Sequence, residues 1–200
     1  DLDVSVIGEL PPGRRPVETF LVSEALRERL NGFIRRQCSE GHQVYVVCPA
    51  VEESEGGVLR SAEAWAQTLQ QSVFPDLRVG LLHGKMKSAE KDAALAAFSA
   101  GKTDILVATT VVEVGVDVPN ATLMVIENAE RFGLSQLHQL RGRVGRGKYA
   151  STCILVTEAQ NDETLQRLRL FCSTTDGFKV ADEDLRLRGP GDFFGERQHG

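Results

Sequence analysis

The run Gln139-Leu140-Arg141-Gly142-Arg143-Val144-Gly145-Arg146 puts three arginines and two glycines into eight residues. Arg143 and Arg146 are three positions apart, a spacing that on a helix brings both guanidiniums to one face. A guanidinium is always charged and presents a planar fork that fits phosphate oxygens. Glycine lets a bulky polyanion approach the backbone closely, yet in a surface helix it costs about 1 kcal/mol per residue. A solvated basic helix end has no need of such glycines, so this composition points to a phosphate ligand.

A second block, Thr109-Thr110-Val111-Val112-Glu113-Val114-Gly115-Val116-Asp117, follows the apolar run that ends at Ala108. In open α/β sheets ligands bind just beyond the carboxyl ends of strands. Two hydroxyls there can bond phosphate oxygens, Gly115 permits close backbone approach, and Asp117 can accept from a sugar hydroxyl. The alternative is an ordinary strand-to-helix turn capped by threonine. His83-Gly84-Lys85-Met86-Lys87 also follows a strand-like run, and its cations and amides suit a nucleic-acid backbone. His83 has a second reading as a partly buried structural histidine.

Two apparent motifs fail on spacing. Gly101-Lys102-Thr103 lacks the glycine a phosphate-binding P-loop needs five residues earlier, where Ala96 stands, and it runs from helix to strand. Gly101 reads instead as the residue just past a helix end. Asp182-Glu183 has no apolar strand before it, so it is not an acidic magnesium box. The chain thus has phosphate-reading arginines without a phosphate cradle. That combination suggests half of a two-lobe nucleotide site.

Two hundred residues allow one α/β domain and a small appendage, and 42% hydrophobic content fits a globular protein. A formal charge of −5 excludes a surface that is basic throughout, so nucleic acid would be bound through local sites. One such stretch, Arg131 to Lys148, holds five cations (Arg131, Arg141, Arg143, Arg146, Lys148) and no acid. Cys38, Cys48, Cys153 and Cys172 show neither metal-site nor disulfide spacing and read as buried thiols of a cytoplasmic protein. No stretch is long and apolar enough to span a membrane, and no signal-peptide pattern is present. Asn120-Ala121-Thr122 matches a glycosylation sequon by chance on this reading.

The elements that must position these residues alternate strand and helix, which implies a mostly parallel sheet with helices on both faces. Expected strands are Val17 to Val22, Gln43 to Cys48, Leu77 to Leu82, Thr103 to Ala108, Thr122 to Ile126 and Ser151 to Thr157. Ser23 should cap a helix with a stripe of Leu26, Leu30, Phe33 and Ile34. Trp65, Leu69 and Val73 mark a second helix, and Ser88 to Ala100 a third with Leu95 and Phe98 inward. Leu134 to Val144 is expected as the helix carrying the arginines. After Thr157, Leu165, Leu168 and Cys172 suggest one helix and Phe178, Ala181 and Leu185 another, followed by a glycine-rich loop at 189–195. Both ends read as cuts within a longer protein.

The blocks at Thr109 to Asp117 and Gln139 to Arg146 resemble the second motor lobe of superfamily two helicases. The longer string from Glu127 to Gln139, with Glu9-Leu10-Pro11-Pro12-Gly13-Arg14 and Asp184-Leu185-Arg186-Leu187-Arg188-Gly189-Pro190-Gly191, is similar to the RecG family of bacterial ATP-dependent helicases. These remodel stalled forks and Holliday junctions. The resemblance covers nearly the whole chain. It implies a RecA-like, P-loop NTPase-type lobe at 17–158, an interlobe linker at 1–16, and a helical hairpin with a translocation loop at 159–200.

By resemblance, Arg143 and Arg146 would reach the γ-phosphate of ATP, with Arg146 as the arginine finger. Gln139 would couple ATP to DNA, and Gly115 and Asp117 would lie at the nucleotide. Thr109 and Thr110 would touch the DNA backbone, with His83, Gly84 and Lys85 beside them. Arg188 and Gln198 would belong to the stepping loop. ATP and Mg²⁺ would be held mainly by a first motor lobe absent from this chain, as would the wedge domain that recognises branched double-stranded DNA. The expected whole is a monomer of the bacterial cytoplasm, with this portion alone inactive. The transcription-repair coupling factor Mfd is the near alternative; a non-catalytic RecA-like binding module is one of another class, against which both arginines stand.

Overall fold

A computed structural model describes residues 16–50, 61–109 and 118–174. Within them six strands form one sheet: β1 (Val17–Val22), β2 (Gln43–Val47), β3 (Val79–Leu82), β4 (Ile105–Ala108), β5 (Ala121–Ile126) and β6 (Ser151–Val156). Their order is β1-β6-β5-β2-β4-β3 and every pairing is parallel. The expected strands are all present, each ending within two residues of its expected bounds, because apolar-rich runs of four to six residues are too short for helices.

Among the described residues five α-helices cover the sheet: α1 (Arg27–Ser39), α2 (Ala62–Thr68), α3 (Ser88–Ser99), α4 (Leu134–Arg141) and α5 (Asp162–Cys172). Ser23 does cap, accepting from the Ala25 N–H at 3.3 Å, but a 3-10 turn (Glu24–Leu26) precedes α1. The helix marked by Trp65, Leu69 and Val73 stops being α-helical at Thr68 and widens into a π-turn, Leu69–Val73. Gln70 holds that turn, donating to Leu77 O at 2.7 Å and accepting from Val79 N at 3.0 Å, which ties it to β3.

The period-two alternation of the strands divides the core. Val44, Val46, Ile105, Val107, Leu123 and Val125 face α1 and α2, packing on Leu30, Ile34, Leu69 and Phe74. Tyr45, Val47, Leu106, Met124, Ile126 and Leu155 face the other way, onto Phe98, Leu137, Leu140, Leu168 and Phe171 of α3, α4 and α5. Both faces of β2, β4 and β5 are buried, which is why those strands read as continuous apolar runs. The thiols behave as expected only in part: Cys48 and Cys153 are buried, while Cys38 and Cys172 are half-buried. The helix containing Leu165, Leu168 and Cys172 is present as α5; the second helix and the loop that follow lie outside the described residues.

Candidate nucleotide and nucleic-acid edges

α4 begins beside the carboxyl end of β5, where the Gln136 side chain caps the Gly133 N–H at 2.9 Å, and runs back toward the amino end of β6. Its eight residues span about 12 Å. It ends at Arg141, three residues earlier than the pattern predicts. Gly142 is the cap, and the next bonds, Arg143 N to Leu140 O and Val144 N to Arg141 O, tighten to three-residue spacing. Gly145 then takes φ +80°, a left-handed conformation that stops helical continuation. Arg143 and Arg146 therefore sit in a glycine-bounded loop and not on a helix face. Both are half-buried, and the Arg146 Nε donates to Gly142 O at 2.8 Å, bending the side chain back over the helix end.

This loop is clamped. Val144 is fully buried, and the Gly145 N–H donates to the Ser151 hydroxyl at 3.0 Å. A Cβ at Gly147 would lie 2.5 Å from the Pro119 carbonyl oxygen. The arginine loop thus touches the Val118–Asn120 turn that leads into β5, and Val118 and Val144 share one core cluster. Asp117 immediately precedes that turn. Asp117, Gly115 and Thr110 lie outside the described residues, as do Arg188 and Gln198. Gln139 is exposed on α4.

The five-cation stretch is not one patch. Arg131 lies before α4 at the carboxyl edge, whereas Arg143, Arg146 and Lys148 lie at the amino edge. Arg141 is internal, only 4% exposed. Its Nη1 donates to Thr19 Oγ1 at 3.1 Å and to Phe171 O at 3.0 Å, and its guanidinium carbon lies 3.9 Å from the Phe171 ring centroid. Burial pushes this guanidinium below its ordinary pKa.

Of the residues expected to meet nucleic acid, Thr109, His83, Gly84 and Lys85 gather at the opposite edge. Thr109 follows β4, and its N–H donates to Leu82 O at 3.2 Å. Its hydroxyl is buried without a partner among the described residues. His83 follows β3, half-buried, and its Nδ1 accepts from the Lys85 N–H at 3.1 Å, so it closes the turn that presents exposed Gly84 and Lys85. The two readings of His83 are therefore compatible. Strands of four to six residues separate the two edges by roughly 13–20 Å, so Thr109 and the arginines are not one site.

The carboxyl edge also holds a group that sequence reasoning missed. Glu127, just after β5, is 1% exposed and accepts both Nη groups of Arg27, at 2.8 and 2.7 Å. Arg27 also bonds Glu24 through Nε and Nη2, at 3.0 and 2.7 Å, and lies 5.2 Å from the Trp65 ring centroid. Burial works against this guanidinium's charge, but the bonds to Glu127 and Glu24 outweigh it and hold its pKa above the ordinary value. Arg167 donates to Phe132 O and Glu130 O, at 2.6 and 3.0 Å, fastening the turn after Glu127 to α5. A carboxylate directly after an apolar strand was the signal available for this cluster.

What the amino edge offers a ligand is cationic: forked donors on a loop seated against a second loop, which suits a triphosphate. Among the described residues no three His, Cys, Asp or Glu side chains are grouped to hold a metal ion, and no helix is long and apolar enough to cross a membrane.

Residues 24–148 match the helicase conserved C-terminal domain. The whole chain is 55% identical to the ATP-dependent DNA helicase RecG of Synechocystis and 52% identical to that of Escherichia coli K12, covering 24% and 29% of those proteins. The chain thus spans about a quarter of the length of the curated relatives it matches. The solved structure of RecG bound to a three-way DNA junction superposes over 92% of this chain and 24% of that one, at 46% identity and a TM-score of 0.77. These matches favour RecG over Mfd, and an all-parallel sheet with helices on both faces is the RecA-like arrangement they share. This chain belongs to the helicase conserved C-terminal domain family, as a RecG-like member of it.

Proposed function

We propose that this chain is the second motor lobe of an ATP-dependent DNA helicase that remodels branched double-stranded DNA, at stalled forks and Holliday junctions, in recombination and repair. The observation that carries the reading is the arginine loop, held by its own backbone against the segment that follows Asp117. A phosphate-reading loop seated there, with a separate edge for nucleic acid, fits a lobe that closes over a nucleotide held elsewhere. The relatives' activity and the junction in the RecG structure support the substrate class.

In this reading ATP with Mg²⁺ supplies the phosphoryl group and its charge neutralisation, held mainly by a first lobe that carries the P-loop and acidic box. Arg143 binds the γ-phosphate oxygens. Arg146 is the finger, stabilising charge that builds only in the transition state. Its bond to Gly142 O in this structure parks the side chain over the helix end, and lobe closure re-aims it. Gly115 and Asp117 border the nucleotide, and exposed Gln139 relays its state toward DNA. Thr109, Thr110, His83, Gly84 and Lys85 hold the DNA backbone at the carboxyl edge.

Residues 17–158 form the lobe, 1–16 the interlobe linker, and 159–200 the hairpin and translocation loop. Arg188 and Gln198 of that loop convert closure into stepping. The remaining partners are a first lobe and an amino-terminal wedge domain in one monomeric protein of the bacterial cytoplasm.

The isolated chain is expected to fold, since both faces of its sheet are covered, yet to show no ATP turnover. The test is turnover by purified chain with and without forked DNA, then with the first lobe attached. Turnover that appears only when the first lobe is attached supports the reading; robust turnover by the chain alone overturns it.

A further inference from the structure

Arg141 stands one residue from Gly142 and two from Arg143, yet it turns inward. Its guanidinium joins three elements that are remote in sequence: α4, which carries it, Thr19 on β1, and Phe171 near the end of α5. The α5 carbonyls around Phe171 are at the negative end of a helix dipole, which suits a cation. The Phe171 ring covers one face of the fork at 3.9 Å. Cys153 and Cys172 face it as thiols rather than anions, because burial pushes them up to about 12 and about 11. Among the described residues no carboxylate pairs with it, and its Nη2 has no hydrogen-bond partner.

A buried charge without a counter-ion is a poor way to stabilise a core. An apolar side chain of similar volume commonly does as well or better. Arg141 has instead what a positioning device needs: a rigid planar fork, two directional bonds, and a place at the helix end from which the arginine loop departs. Val144 and the Ser151–Gly145 bond fix the far side of the same loop.

We propose that Arg141 is a positioning residue for the nucleotide site: anchored to Thr19 and Phe171, it sets the end of α4 and so the height and direction of Arg143 and Arg146. The proposal rests on the reading of those two arginines as γ-phosphate ligands. Because Phe171 lies in the last turn of α5, the aim of the finger depends on where α5 sits against β1 and α4. A shift of about 1 Å in a catalytic group can cost about a hundredfold in rate.

The experiment uses the full-length helicase and compares Arg141→Met with Arg146→Ala, measuring kcat and KM for ATP on junction DNA, junction affinity and melting temperature. For Arg141→Met, kcat should fall about 10–100-fold while the ATP KM moves less than about threefold. Junction affinity should be unchanged and the melting temperature equal or higher, the opposite of a structural residue's signature. A variant that melts lower but turns over ATP at the native rate overturns the proposal. If Arg141→Met does not fold, Thr19→Val removes one anchor on a distant strand: lowered kcat at native melting temperature supports the proposal, and native kcat overturns it. Intact turnover in Arg146→Ala would bring down the nucleotide reading and this proposal together; intact turnover in Arg141→Met alone removes only the proposal.

Discussion

Replacing Gly147 by alanine tests the seat of the arginine loop with a single methyl group. The added Cβ would sit 2.5 Å from the Pro119 carbonyl oxygen, 3.1 Å from its Cβ and 3.2 Å from its carbonyl carbon. The first is backbone, so no flexible side-chain end can swing aside. Either the arginine loop or the Val118–Asn120 turn must retreat by about half an ångström or more, and overpacking of this kind costs about 1–3 kcal/mol. The rate effect should be larger than the stability effect suggests, because the loop that moves carries Arg146. Displacement of a catalytic group by about 1 Å is worth up to about 10²-fold. The assay is urea denaturation of the isolated chain beside ATP turnover of the full-length protein. Gly32→Ala is the control: it lies mid-helix in α1 with open space around its Cβ, and should stabilise by about 0.5–1 kcal/mol. If Gly147→Ala matches the native protein in both stability and turnover, the contact with Pro119 does not seat the loop.

The remaining expectations concern the carboxyl edge and the thiols. Among the described residues Glu127→Ala leaves Arg27 with only the more exposed Glu24 as counter-ion, and breaking a buried pair costs about 3–5 kcal/mol, so the urea midpoint should drop steeply; a loss under about 1 kcal/mol would show the pair to be effectively solvated. Of the four cysteines, buried Cys48 and Cys153 should resist a thiol reagent at pH 8 in the native state. Cys38 and Cys172 should react slowly, because burial raises their thiols to about 12 and about 11. Rapid labelling of all four would mean that the core opens readily.

Much of this architecture was legible because its signals are local. Val44 to Cys48 and Ile105 to Ala108 are apolar runs cut off by Pro49 and Thr109, and no longer-range contact is needed to recognise them. Ser23 accepts from the Ala25 N–H at 3.3 Å, a cap that its residue type and place announce. The end of α4 was not legible, since Arg143 keeps a helical spacing from Arg146 although the bonds tighten from Arg143 onward and Gly145 takes a positive φ. From the sequence Arg141 reads as one of five surface cations, because its partners, Thr19 and Phe171, stand 122 and 30 residues away. Arg27 and Glu127, 100 residues apart, were invisible for the same reason. Spacing does not tell how far apart the two candidate blocks lie; a strand's length of sheet stands between Thr109 and the arginines.

The most direct measurement is DNA-stimulated ATP turnover by full-length protein carrying Arg146→Ala, taken beside its affinity for forked DNA. An arginine finger contributes about 10³–10⁵ in kcat and makes no contact with DNA, so turnover should collapse while fork binding stays native. Turnover reduced less than about tenfold, or lost only together with fork binding, would contradict the assignment of this loop to the phosphates.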